Sequence, residues 1–114
     1  MTKAIDVTHK KWNNTKVLFD DGNFSAIIGK YDGSSYFSIA VRWNGEGDDP
    51  GYPKLFKKPV WFNIPDYLAI GMVHTLQLRH IEAHSLDDNY LSNTRFALHV
   101  LQAQKQGLSV TKFS

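Results

Sequence analysis

Two Asp-Gly pairs, Asp21-Gly22 and Asp32-Gly33, each stand between runs of alternating apolar and polar residues. Glycine reaches the positive φ that a tight reversal between antiparallel strands requires, so the pair is among the strongest local hairpin signals. The segment TKVLFDDGNFSAIIGKYDGSSYFSIAVRWN therefore reads as three strands, at about 16–20, 23–30 and 35–43, joined as a meander. In the third strand Phe37, Ile39, Val41 and Trp43 share one parity, and Tyr36, Ser38, Ala40 and Arg42 share the other. A strand sends alternate side chains to opposite faces. One face is thus apolar, and the other mixes a ring with a cation.

The stretch 45–59, GEGDDPGYPKLFKKP, breaks the pattern with glycines, prolines and charges and reads as one long loop. PVWFNI resumes it as a fourth strand, with Val60, Phe62 and Ile64 on one face and Trp61 and Asn63 on the other. Pro65 and Asp66 then suit a helix start, where a first-turn proline loses nothing and a carboxylate meets the positive end of the dipole. Leu68, Met72, Leu76 and Arg79 or His80, with Val73 beside them, set the inner row of this helix. HSLDDNY is a break, with Ser85 or Asp87 as cap. A second helix spans about 88–106, with Leu91, Thr94, Leu98 and Leu101 as its row, Phe96, Val100 and Ala103 widening it, and Gly107 as its stop. LSVTKFS reads as a short final strand. Strands followed by helices, without alternation, define an α+β domain. The expected architecture is a four-stranded antiparallel meander sheet followed by two helices packed on one face. Residues 1–15 form an arm or an edge strand, and residues 16–114 a single domain. A sheet covered on one side leaves its other face free.

Chemistry on that free face comes from Tyr36, Arg42, Trp61 and Asn63, with Lys30 and Tyr31 at the end of the second strand and Lys54, Lys57 and Lys58 in the loop. Rings that stack bases, interleaved with cations that follow phosphates, are the means by which single strands are held. The plain alternatives are that Tyr36 and Trp61 form a cross-strand aromatic pair or are covered by the N-terminal arm. The net charge, +2, does not by itself mark a nucleic-acid binder, but all of the excess lies in the front half: nine Lys/Arg against seven Asp/Glu in residues 1–60, and four of each after.

From Phe24 to Gln77 the order of FSAIIGKY, a DG turn, YFSIAVRW, GYPKLFKKP, VWFNI and PDYLAIGMVHTLQ resembles the DNA-binding domain of the transcriptional positive-cofactor-four family. The resemblance implies a curved sheet that grips single-stranded DNA, with the helix forming a dimer contact. Carried over by position, Lys30, Arg42, Lys57, Lys58 and Trp61 become the DNA contacts. Glu46, Asp48, Asp49 and the second helix depart from the family's pattern.

Other chemistries are poorly served. His80 and His84 stand one helical turn apart, and with His99 or Asp87 they outline a metal site. HIEAH lacks the glutamate directly after the first histidine that a zinc-protease helix carries, and two polar histidines near a helix C-terminus need no metal. There is no Gly-x-Ser-x-Gly motif, and the absence of cysteine removes thiol chemistry, thiolate metal sites and disulfides. EGDD lacks the ligand spacing of a calcium loop. No apolar run reaches the ~18 residues of a membrane span, and the N-terminus lacks a signal-peptide core.

The expectation is a cytoplasmic, non-catalytic protein without cofactor or metal. It binds single-stranded DNA or RNA as a homodimer in replication, recombination or transcription, and a phage or bacterial source would suit it. Its site residues are Lys30, Tyr36, Arg42, Lys54, Lys57, Lys58 and Trp61. The alternative is a protein-interaction module, a small regulator docking on a partner enzyme through the same aromatic surface.

Overall fold

A computed structural model describes residues 4, 11–47, 49–55, 58–83 and 88–106. The strands are β1 (Trp12–Asp20), β2 (Phe24–Tyr31), β3 (Phe37–Trp43), β4 (Lys54–Leu55), β5 (Lys58–Pro59) and β6 (Phe62–Asn63), followed by helices α1 (Asp66–Ala83) and α2 (Asp88–Lys105). β1, β2, β3 and β6 form the expected antiparallel meander, while β4 and β5 pair as a separate ribbon. That ribbon lies inside the stretch expected to be loop throughout.

Both Asp-Gly turns form as expected. Asp32 and Gly33 both adopt positive φ, and the Ser34 amide donates to the Tyr31 carbonyl at 3.0 Å, which closes a tight turn inside the connection that brings Lys30 opposite Phe37. At the first turn the Asp21 carboxylate accepts from the Asn23 and Phe24 amides at 2.9 Å. β1 begins four residues earlier than the alternation indicates. Its register against β2 shifts between Asn13 and Lys16 and again between Val17 and Phe19, and Asn14 has φ 54°. Each shift breaks the period of two, so WNNTKV does not look like a strand. Part of the expected arm is thus sheet.

The helices cover one face. Ala26, Ile28, Phe37, Ile39 and Ile64 from the sheet side meet Ala69, Val73 and Leu76 of α1 and Ala97, Val100, Leu101 and Ala103 of α2. The inner row of α1 is Ala69, Val73, Leu76 and His80; Val73, Leu76 and His80 lie where expected, while Leu68 is exposed and Ala69 is buried in its stead. The His80 Nε2 lies 2.7 Å from the Leu18 carbonyl, and its ring packs beside Phe19 and Tyr90. On α2, Thr94, Val100, Leu101 and Ala103 are buried as expected, while Leu91 and Leu98 are half-buried. The proposed caps at Ser85 and Asp87, the stop at Gly107 and the final strand lie outside the described residues.

The second face of the sheet is not free. Ile27 and Ala40 are fully buried there with Trp12, and Val17 and Trp61 pack against them. β2 contributes Gly29 at this place: a Cβ would lie 2.8 Å from Thr15 Cγ2 and 3.2 Å from Trp12 Cε3, so only glycine lets β1 curl across. Further along, the loop after β3 folds back. Trp43 and Tyr52 exchange backbone hydrogen bonds at 2.6 and 3.0 Å, and Gly51, at φ 84°, leaves no room for a Cβ beneath Trp43 and Arg42. Ser25 and Asn44 are buried in the same layer, bonded to one another at 2.6 Å, with Asn44 reaching the Asp20 carboxylate at 2.9 Å.

Candidate nucleic-acid interface

Of the residues singled out in the sequence, Lys30 and Tyr36 come together at one end of the sheet. Tyr36 precedes β3, and its ring is 61% exposed. Lys30, at the end of β2, extends its Nζ over the Phe37 ring, 5.0 Å from the centroid. Phe37 is held on both backbone atoms: its amide donates to Gln104 Oε1 at 2.5 Å, and its carbonyl accepts from Gln104 Nε2 at 3.1 Å. That pair of bonds fixes the end of α2 against the start of β3.

Between them lies an open groove of about 450 Å³. Ile70 and Leu101 give it an apolar floor, Tyr36 and Tyr67 stand over it, and Lys105 and Asp66 supply charge at its rim beside Gln104. Tyr67, in the first turn of α1, is 86% exposed. Two open rings above an apolar floor, with Lys105 in the rim and Lys30 close by, provide stacking faces together with cationic groups.

The other expected contacts lie elsewhere. Arg42 is turned inward: the residue is 1% exposed, and its Nη2 donates to the Pro50 carbonyl under the Gly45–Gly51 loop. Its Nε and Nη1 have no hydrogen-bond partner among the described residues. Burial in this poorly polar place lowers its pKa from the usual guanidinium value, because desolvation penalises the charged form. Trp61 is half-buried on the covered face, where it packs against Trp12, Ile27 and Ala40 rather than standing free. Lys54 is exposed at the opposite end of the molecule, its Nζ 4.0 Å from the Asp49 carboxylate. Lys58 enters the structure through its backbone in β5, and Lys57 lies outside the described residues.

Sequence reasoning did not find Tyr67, Lys105 or Gln104. Tyr67 had one legible signal, a large ring two residues beyond a helix-starting proline. Lys105 and Gln104 had none, since only the packing of α2 on the sheet brings them to Tyr36. The histidine reading also separates: His80 is a core residue, His99 is exposed, and His84 and Asp87 lie outside the described residues. Among the described residues no three metal-capable side chains gather. No described helix is long and apolar enough to cross a membrane.

No protein-family model, curated protein or solved structure matches the chain. The functional reading therefore rests on its own residues.

Proposed function

We propose that this protein is a non-catalytic binder of single-stranded nucleic acid, acting as a homodimer, with the groove between Tyr36 and Tyr67 as its stacking site. The observation that carries the reading is the pair of rings, 61% and 86% exposed, standing over an apolar floor at the end of the molecule that also holds Lys30 and Lys105. A base laid on either ring gains stacking free energy that does not depend on its identity, and the lysines add attraction for the phosphates beside it. Such a protein would serve in the cytoplasm on strands opened by replication, recombination or transcription, and the resemblance to the positive-cofactor-four domain points to DNA.

The second copy belongs on the outer side of α1. Leu78 and Ile81 are exposed there, in one row with Gly71 and His74. The row recurs at alternating steps of four and three, so it forms one continuous stripe facing away from the core. Apolar groups in such a stripe gain by leaving water together.

Anisotropy of a labelled oligothymidylate, titrated at several salt concentrations, tests the reading. Binding falls as salt rises. Tyr36→Ala and Tyr67→Ala each weaken it by ~1–3 kcal/mol without changing the salt slope. Lys30→Ala combined with Lys105→Ala lowers that slope by ~2. Absence of binding at low salt overturns the reading; binding that none of these substitutions alters moves the site elsewhere.

A further inference from the structure

The Tyr36–Tyr67 groove is lined by two opposite charges that do not meet. Asp66 opens α1 directly before Tyr67, and Lys105 closes α2 directly after Gln104. The two form no ion pair with one another, and neither side chain hydrogen-bonds to a described residue. Gln104, the amide in the same lining, is committed: its Oε1 accepts from the Phe37 amide at 2.5 Å, and its Nε2 donates to the Phe37 carbonyl at 3.1 Å. A carboxylate only accepts hydrogen bonds, and an ammonium only donates them. Above the apolar floor of Ile70 and Leu101, the rim thus offers a ligand one acceptor group and one donor group.

Bases stacked on open rings are told apart by the hydrogen-bonding edges they leave free. Guanine alone presents two adjacent donors, N1–H and the N2 amino group, with an acceptor, O6, beside them. A carboxylate takes both donors in parallel, and an ammonium takes O6. Adenine and cytosine each set their amino group next to a ring nitrogen that accepts. Thymine and uracil set their one N–H between two carbonyls. In each of these a lone pair faces the second carboxylate oxygen. A two-bond pair of this kind favours the right base by about tenfold.

We infer that the groove selects guanine. Resting on the reading that it holds single-stranded nucleic acid, Asp66 accepts from N1–H and N2–H of a base stacked on Tyr36 or Tyr67, and Lys105 donates to O6. The rings supply affinity for any base, and Asp66 supplies the preference. This role accounts for a carboxylate in a groove whose other charges, Lys105 and nearby Lys30, suit phosphate. By Coulomb repulsion alone it would weaken binding.

Three labelled dodecamers, titrated by anisotropy on the full chain in lithium buffer so that guanines do not self-associate, test this. One is oligothymidylate, one alternates thymidine with deoxyguanosine, and one alternates thymidine with deoxyinosine, whose base lacks only the N2 amino group. The guanine strand binds about tenfold tighter than oligothymidylate, and the inosine strand loses most of that gain. Asp66→Asn brings the guanine-to-thymine ratio to within about twofold. A carboxylate that served only the dipole of α1 would leave that ratio in place. Equal affinity of the parent for the three strands, or a guanine preference that survives Asp66→Asn, overturns the inference while the stacking site stands. Binding of none of the three overturns both.

Discussion

Arg42 shows how the same residue type takes opposite roles according to where a strand ends. By parity it belongs to the mixed face of β3, where a cation would be expected to meet phosphate. The returning loop instead covers it, and one neutral carbonyl, that of Pro50, receives its Nη2. A buried cation with no carboxylate bonded to it among the described residues is costly, and apolar replacement of buried ionic groups is often neutral or stabilising by ~1–4 kcal/mol. Arg42→Met should accordingly hold or raise the melting temperature, measured by circular dichroism, and leave the salt slope of oligonucleotide binding unchanged. A slope that drops by about one would show that the guanidinium reaches a phosphate, and that the Gly45–Gly51 loop opens in the complex. Lys30 keeps its Nζ over the face of Phe37, where a cation is favoured without losing its hydration. The sequence offered both residues as equal candidates; only the fold of the loop separates them.

At the level of the element, periodicity located α1 and most of its inner face, Val73, Leu76 and His80, but took Leu68 where Ala69 is buried. The helix carries two apolar rows. Ala69, Val73, Leu76 and His80 face the sheet, and Gly71, His74, Leu78 and Ile81 face away. A pattern of spacing does not separate two rows of similar hydropathy at every position, so the expected row held Val73, Leu76 and His80 of the inner face together with Leu68, which is exposed. The sheet chooses the row with small and β-branched side chains, which lets the helix approach closely. Gly71 has nothing within 4 Å of the place its Cβ would occupy, so no contact inside the molecule calls for glycine in mid-helix. A second helix approaching the outer row would. In sedimentation velocity the parent should run as a dimer and Leu78→Lys as a monomer with an unchanged fold. A monomeric parent removes the dimer from the proposal. β1 is the opposite case: its two register shifts hide a nine-residue strand from any test of alternation.

For the molecule as a whole, the sheet is a middle layer rather than a floor. Helices pack on one side, and on the other Trp12 and Trp61 with the loop after β3 seal Ile27, Ala40 and Arg42. Trp12, which an arm would leave in solvent, is buried against Ile27 and touches Tyr31 at 4.9 Å between centroids. Trp12→Ala should therefore cost ~3–5 kcal/mol in a urea unfolding curve; a loss under 1 kcal/mol would show that the second layer contributes little. The order of elements, the two glycine turns, the meander and the α+β class were legible in the sequence, because turn chemistry and side-chain period are local properties of neighbouring residues. How far each face of the sheet is covered, and that Tyr36 and Tyr67, 31 residues apart in the chain, line one groove, were decided only by the tertiary structure. Burial is a property of what packs against a residue, and its packing partners are distant in sequence.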